Sequence, residues 1–115
     1  MTSYNFHHGE VVLVPFPLST PSPNMRRPAL IASSDHYNSG TGEIIIAPIT
    51  SRGRSIPRIG DYEILDWTEA GLLGPATVRA RLVTLRSSHV LKNIGSLTRR
   101  DMEGVGQWLK RVLEL

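Results

Sequence analysis

Three apolar runs of strand length, each bounded by residues that form loops, do most to constrain the fold of this chain. The runs are Glu10–Phe16, Pro28–Ser33 and Glu43–Thr50. A long loop must join the first two, because Pro21 and Pro23 exclude a tight two-residue hairpin between them. β-Branched residues and partial alternation favour strands in all three runs, so the pattern predicts a mainly β, antiparallel domain.

Shorter segments continue this pattern through the second half of the chain. The predicted strands are Asp61–Leu65, Thr77–Leu85 and His89–Ile94, and the predicted loops are Ser34–Gly42 and Ser51–Gly60. Asp66 is a suitable N-cap for a short helix over Trp67–Leu72, which Gly74 and Pro75 would end. The short helix is therefore expected between the fourth and fifth predicted strands.

The long helix that the sequence predicts is C-terminal. Thr98 is a good N-cap, and Asp101 three residues later resembles the acidic member of a capping box. One face of this helix carries the apolar residues Met102, Val105, Trp108, Leu109, Val112 and Leu113. We expect it to cover the sheet, with a membrane-binding or partner-binding helix as the alternative. The elements together predict an SH3-like barrel or sandwich of antiparallel strands closed by this amphipathic helix.

Length and composition bound the remaining possibilities. A chain of 115 residues fits one compact domain, expected over residues 1–115 with a flexible N-terminus at residues 1–8. The absence of Cys excludes disulfides, thiolate zinc sites and cysteine nucleophiles. No apolar run approaches the roughly 20 residues of a bilayer span, and the N-terminus lacks the pattern of a secretion signal. We therefore expect a soluble, cytoplasmic protein.

The histidines do not point to a metal or cofactor. His7–His8 would need at least one further ligand, and Asp35 and His36 do not converge on one ligand in a regular element. Motifs for a phosphate-binding loop or a serine nucleophile are also absent from the sequence. No metal and no cofactor are expected.

Most of the basic residues of this chain are Arg, and few are Lys. Thirteen Lys and Arg against ten Asp and Glu give a net charge of +3, and eleven of the thirteen are Arg. Arg presents a planar fork of donors that matches phosphate, whereas Lys is the commoner solubilising charge. A GC-rich genome explains the same bias, so composition alone leaves phosphate binding open.

Two clusters could bind an anion. Arg26 and Arg27 lie at the start of a strand, and the following Pro28 holds Arg27 in extended geometry. Thr50 and Ser51 end the central strand, where hydroxyl donors lie close in sequence to Arg52 and Arg54. Arg79 and Arg81 would share one face of a later strand. A solvated strand edge is the alternative interpretation of each cluster.

Taken together, these segments resemble a known family. The segments are Gly9–Pro17, Arg27–Ile31, Ile46–Ser51, Asp66–Trp67, Ala70–Leu72, Pro75, Val78–Arg79, Leu82–Leu85 and Ile94–Leu97. Each is common alone, but their order and spacing from about Gly9 to Leu113 resemble the MazF/PemK-like toxins of bacterial type II toxin–antitoxin pairs.

The resemblance implies an SH3-like barrel that forms a homodimer and cleaves single-stranded RNA, often mRNA, at short sequence motifs. It also implies a metal-independent reaction in which the ribose 2′-oxygen attacks the neighbouring phosphate, leaving a cyclic phosphate and a 5′-hydroxyl. The catalytic residues would be Arg27, which would stabilise the phosphorane's charge, and Thr50, which would donate to a non-bridging oxygen. The residues expected to bind the substrate are Arg26, Ser51, Arg52, Arg54 and Arg79. A basic groove of this kind would serve both RNA and an acidic antitoxin.

The sequence leaves two features of the expected site open. Arg27 remains protonated and is a poor general base, and the nearest alternatives by chain position, Glu10, Asp35 and His36, are all weak. Ala76 stands where the family usually has Ser, and the neighbouring Thr77 would point to the opposite face of a strand.

The alternative functions depend on different residues of the chain. A gyrase-poisoning toxin of the CcdB kind would act by protein binding, depending on the helix around Trp108 and not on Arg27. A non-catalytic SH3-like module would bind RNA without cleaving it, which the Ala76 departure favours. A purely structural domain leaves the coincidence of Arg27 and Thr50 with the family's motif positions unexplained.

Overall fold

The computed structural model describes residues 5–15, 25–51 and 58–115. In these ranges the chain forms strands β1 (Glu10–Pro15), β2 (Arg26–Ile31), β3 (Glu43–Ser51), β4 (Asp61–Glu63), β5 (Ala76–Arg79), β6 (Val83–Arg86) and β7 (Lys92–Ser96). The α-helices are α1 (Asp35–Thr41) and α2 (Arg99–Leu113), and one 3-10 turn spans Ser87–His89. No helix in the described ranges is long and apolar enough to span a membrane.

The strands form one antiparallel sheet, in the order β4-β5-β3-β2-β1-β7, with β6 also pairing with β3. β3 is the longest strand, and β6 and β5 pair with its first and second halves. The mainly β, antiparallel prediction is confirmed. Within the described residues β4 and β7 do not pair with each other, so the sheet is open and the word barrel describes it only approximately.

Alternating side chains give the sheet two apolar faces. One face, here called the helix face, packs against Val105 and Trp108 of α2; its buried strand residues include Val11, Leu30, Ala47, Ile49 and Val78. The other, here called the opposite face, carries Val12, Val14, Ala29, Ile31, Ile44 and Ile46, covered by Phe6 and Leu85. Since both faces bury apolar side chains, the central strands read as nearly continuous apolar runs.

α2 begins and packs as its sequence predicts. The Thr98 hydroxyl accepts a hydrogen bond from the Asp101 N–H at 3.3 Å. Asp101 is fully buried, and its carboxylate accepts from the Tyr62 hydroxyl at 2.7 Å and from the backbone N–H groups of Leu65 and Asp66 at 2.9 and 2.8 Å. Burial and the bond to Asp101 raise the pKa of Tyr62, which keeps its hydroxyl a donor. The helix therefore covers the sheet and is anchored at its first turn.

The prediction of a short helix over Trp67–Leu72 is wrong. This segment is a hydrogen-bonded turn, in which Asp66 O accepts from Ala70 N–H at 3.2 Å and Trp67 O accepts from Leu72 N–H at 3.0 Å. Gly71 has a φ of 84°, and a Cβ there would lie 2.1 Å from Ile94 O. The close approach to β7 and the left-handed backbone therefore end any helix at this glycine.

The short helix of this fold is α1, in a segment that the sequence predicted as a loop. Ser34 caps it by accepting from Tyr37 N–H at 3.1 Å, and Gly42 ends it with a φ of 71°. Asn38 on this helix is buried and donates to Phe6 O at 3.0 Å. A polar segment without apolar periodicity thus becomes helical through its caps and one buried amide.

Residues 5–8 differ from the predicted flexible terminus, of which residues 1–4 lie outside the described part. Phe6 is buried against the opposite face. The His8 N–H donates to Asp35 Oδ1 at 2.7 Å, and His7 Nδ1 lies 3.1 Å from Asp35 Oδ2. These contacts attach the segment to the first turn of α1.

Candidate active site

The sheet register brings Arg27 and Thr50 to the same place. β2 and β3 pair through Ala29 opposite Pro48 and Ile31 opposite Ile46. Continuing that register by two residues in each strand places Arg27 opposite Thr50. Side chains alternate along a strand, so both belong to the opposite face of the sheet, at its edge. The paired residues end at Ala29 and Pro48, so it is the continuation of the register that brings together two residues 23 positions apart in the chain.

Thr77 lies on the other side of Thr50 from Arg27. Arg27, Thr50 and Thr77 are together called the row. The two threonines are paired in the β3–β5 register, and their Oγ1 atoms lie 3.1 Å apart, within hydrogen-bond distance. Thr77 is buried between Ala76 and Val78, while Thr50 is half-buried. The row thus contains two hydroxyls in contact, the outer one of which solvent or a ligand can reach.

Acidic residues of β4 lie beyond Thr77. Glu63 pairs with Thr77, and Asp61 pairs with Arg79. Arg79 Nε lies 3.7 Å from Asp61 Oδ1, and it has no hydrogen-bond partner within the described residues although it is buried. Asp61 also accepts from the Arg58 N–H at 2.9 Å. Arg79 therefore shares the face of Thr77 but lies against a carboxylate.

Strand alternation assigns the predicted substrate-binding residues Arg26 and Ser51 to the helix face. Arg26 is exposed opposite Pro15, and alternation places its side chain on the helix face. Ser51 is opposite Ala76, also on the helix face, where both border an apolar cavity of about 300 Å³ that Arg27 borders too. Ser51 is thus the hydroxyl residue facing the position where Ala76 replaces the usual Ser. Arg52, Arg54 and most of the Leu18–Met25 loop lie outside the described residues.

The three residues considered as general bases lie far from Thr50 and Arg27. Glu10 is four residues from Val14, the partner of Arg27, which is about 13 Å along β1. Its carboxylate accepts from Asn93 Nδ2 at 2.6 Å. Asp35 and His36 begin α1, which follows the far end of β2. The bonds that Asp35 accepts from the His8 N–H and from His7 lower its pKa, which makes this carboxylate a weaker base.

Sequence reasoning missed Thr77 as a partner of Thr50, and it missed the carboxylates of β4. The β4–β5 and β3–β5 registers decide both, and each depends on how residues 52–75 connect the strands. The one signal in the sequence was strand alternation, which correctly placed Thr77 and Ala76 on opposite faces.

The chemistry of this row suits a phosphate group. A guanidinium supplies fixed positive charge, and a partly exposed hydroxyl supplies a directed hydrogen-bond donor. In the described part of the chain, no group of three or more His, Asp or Glu is arranged to hold a metal ion.

Comparison with known proteins assigns the chain to a family. A family model described as a PemK-like, MazF-like toxin of type II toxin–antitoxin systems matches residues 7–113. The Mycobacterium tuberculosis protein named endoribonuclease MazF6 is 28% identical over 100 residues, covering 86% of this chain and 88% of its own length. The Mycobacterium bovis endoribonuclease MazF2 matches with the same identity and coverage.

Solved structures agree on the fold. MazF from Deinococcus radiodurans superposes with a TM-score of 0.73 at 23% identity, covering 98% of this chain and all of the other. An endoribonuclease from a mycobacterial species, solved with its cognate antitoxin, superposes with a TM-score of 0.74 at 18% identity, covering 98% and 97% of the two chains. With the fold shared along its length and the family model spanning nearly all of its residues, this chain belongs to the PemK-like, MazF-like toxins of type II toxin–antitoxin systems.

Proposed function

We propose that this protein is an endoribonuclease toxin that cleaves single-stranded RNA, in particular mRNA, at short specific sequences without a metal ion. Family membership and the endoribonuclease names of its relatives support the activity class. The observation that supports the assignment to this site is the register of β2 and β3, whose continuation beyond Ala29 and Pro48 places Arg27 opposite Thr50.

The proposed reaction is an internal transfer at phosphorus. The ribose 2′-oxygen attacks the adjacent phosphorus, the bond to the 5′-oxygen breaks, and a 2′,3′-cyclic phosphate and a 5′-hydroxyl result. Negative charge on the non-bridging oxygens grows in the transition state, where Arg27 supplies positive charge and the Thr50 hydroxyl donates a hydrogen bond. The 2′-hydroxyl loses its proton and the departing 5′-oxygen gains one; Arg27 cannot act as the base because it stays protonated.

The proposed partners follow from the same surface. We expect an acidic antitoxin, because the chain carries a net charge of +3 and a structural neighbour was solved with its cognate antitoxin. We also propose that the protein is a single domain over residues 1–115, forms a homodimer and acts in the cytoplasm, where its RNA substrate is found. Arg26, Ser51, Arg52, Arg54 and Arg79 are the proposed RNA-binding residues.

A chemical test uses an oligoribonucleotide that contains one cleavage site, first located on a long RNA. We expect a cyclic phosphate on one product and a 5′-hydroxyl on the other by mass spectrometry. A matched oligonucleotide with a single 2′-deoxy sugar just before the scissile phosphate should resist cleavage, because it lacks the nucleophile.

Products that end in a 3′-hydroxyl and a 5′-phosphate would contradict this mechanism, as would cleavage of the 2′-deoxy substrate. If the protein binds RNA but leaves it intact, it is a binding module. If RNA is untouched and DNA gyrase is inhibited instead, it is a toxin of the CcdB kind.

A further inference from the structure

We propose that Thr77 is a positioning residue for Thr50: it donates its hydroxyl hydrogen to Thr50 Oγ1 and so directs the hydrogen of Thr50 toward the scissile phosphate. This inference rests on the proposed endoribonuclease function. It adds a residue from a third strand, and it assigns a direction to a hydrogen bond that the distance alone leaves open.

The surroundings of the two hydroxyls decide that direction. Thr77 is 5% exposed, and within the described residues Thr50 Oγ1 is the only hydrogen-bond partner of its Oγ1, at 3.1 Å. A hydroxyl carries one hydrogen, and a buried donor left without an acceptor costs about 1–3 kcal/mol. Among the residues that the structure describes, Thr50 Oγ1 is the acceptor through which Thr77 avoids this cost. Thr50 is half-buried and can direct its own hydrogen outward.

The same arrangement makes the Thr50 hydroxyl a better donor. A hydroxyl that accepts a hydrogen bond is polarised and donates more strongly through its own hydrogen. With Thr77 occupying one of its lone pairs, the hydrogen of Thr50 is turned away from β5. The Arg27 side of the row lies in that direction, where the proposed function places the phosphate.

The backbone holds Thr77 in place for this role. It lies in the middle of β5, paired with Thr50 on one side and Glu63 on the other. Its neighbours Ala76 and Val78 are buried in the helix face. A β-branched side chain in such a strand has little χ1 freedom, so its hydroxyl stays at a fixed position.

The test compares Thr77→Val, which keeps the shape and removes the hydroxyl, with Thr77→Ser, which keeps the hydroxyl. Thr84→Val is the matched control, because Thr84 is exposed on β6 and pairs with Ile45 at the other half of β3. We expect kcat for a single-site RNA to fall about 3- to 10-fold in Thr77→Val with KM unchanged, as for one neutral hydrogen bond. Thr77→Ser should recover most of kcat, and Thr84→Val should match the wild type.

Two further measurements separate positioning from loss of packing. In a Thr50→Val background, Thr77→Val should reduce kcat no further, because the donor that it orients is gone. Replacing the contacted non-bridging oxygen of the scissile phosphate with sulfur, a weak acceptor, should slow the wild type. That penalty should shrink in both Thr50→Val and Thr77→Val. If Thr77→Val does not fold, Thr77→Cys gives the same comparison with a weak donor.

An unchanged kcat in Thr77→Val, with Thr50→Val impaired, would overturn the positioning role and leave the endoribonuclease function standing. Equal losses for Thr77→Val in the wild-type and Thr50→Val backgrounds would also overturn it. A wild-type protein that leaves RNA intact would instead overturn the proposed function itself.

Discussion

Gly104 and Gly106 lie two residues apart on α2 but have opposite surroundings. A Cβ at Gly104 would lie 2.4 Å from the Tyr62 hydroxyl oxygen and 2.6 Å from its ring, whereas a Cβ at Gly106 would meet nothing within 4 Å. Tyr62 could move away only by giving up its bond to the buried Asp101. Gly104 is therefore required by packing, and Gly106 is not.

The two Ala substitutions should change stability in opposite directions. We expect Gly104→Ala to lower the free energy of unfolding by about 1–2 kcal/mol, since overpacking outweighs the gain in helix propensity. Gly106→Ala should raise the free energy of unfolding by about 0.5–1 kcal/mol, because Ala restricts the unfolded chain. Urea denaturation of the two variants checks both, and equal effects would contradict the packing at Tyr62.

The contact between Thr50 and Thr77 marks the limit of prediction for single residues. Strand alternation was enough to place Ala76 and Thr77 on opposite faces. It could not pair Thr77 with Thr50, because that register depends on the long connection from β3 to β5. The exposed Arg27 was found as a motif residue, but its neighbour was found only in the fold.

At the scale of elements, an ionic contact on the exposed side of the first turn also holds α2 in place. Arg100 Nη2 lies 2.6 Å from Asp66 Oδ1, and the Thr98 hydroxyl donates to Asp66 Oδ2 at 2.7 Å. Both bonds lower the pKa of Asp66 below its ordinary value of about 3.9, and the bond from Arg100 has the larger effect. The charged form of Asp66 therefore joins the start of α2 to the turn after β4.

This contact should stabilise the protein in a pH-dependent manner. Because the folded pKa of Asp66 is lowered, its contribution is complete above the unfolded pKa and is lost as the pH falls through the folded pKa. Asp66→Asn should unfold more easily than the wild type at pH 7, and the difference should shrink below about pH 4. Urea denaturation across this range measures it.

Glu103→Gln is the matched control for that experiment. Glu103 forms an exposed pair with Arg99, with N–O distance 3.7 Å, and such pairs contribute little at any pH. A difference between Asp66→Asn and the wild type that stays constant from pH 7 to pH 3 would contradict the assigned role of the Asp66 carboxylate.

The two helices show which elements a sequence can reveal. α2 was predicted because its cap, its apolar stripe and its basic last turn all agree. α1 was missed because Asp35–Thr41 is polar and lacks apolar periodicity; its stability comes from Ser34, Gly42 and the buried Asn38. The sequence predicts a helix where the structure has a turn at 67–71. The turn depends on the close approach of Gly71 to β7, and this tertiary contact is not visible in the local sequence.

In the molecule as a whole, the packing of α2 and the candidate catalytic residues involve different parts of the sheet. α2 and the 61–72 segment cover the helix face of the sheet. Strand alternation assigns Arg27, Thr50 and Thr77 to the opposite face, and Arg27 also borders the cavity on the helix face. The fold class and family could be predicted from sequence, since they depend on the order of many short segments. The residues of the row could not be predicted, because they come from three strands whose two registers, β2–β3 and β3–β5, are tertiary features.

Arg27 and Thr50 are proposed to form one RNA-cleaving site that needs no metal ion. The most direct measurement incubates the purified protein with a long, weakly structured RNA in excess EDTA, alongside Arg27→Ala and Thr50→Val. Arg86→Ala is the control, because Arg86 is exposed and pairs with Glu43 at the other end of β3. We predict cleavage at recurring short sites by the wild type and Arg86→Ala, with losses of about 100-fold or more for Arg27→Ala and a smaller loss for Thr50→Val. Intact RNA with the wild type, or equal cleavage by wild type and Arg27→Ala, would contradict this account.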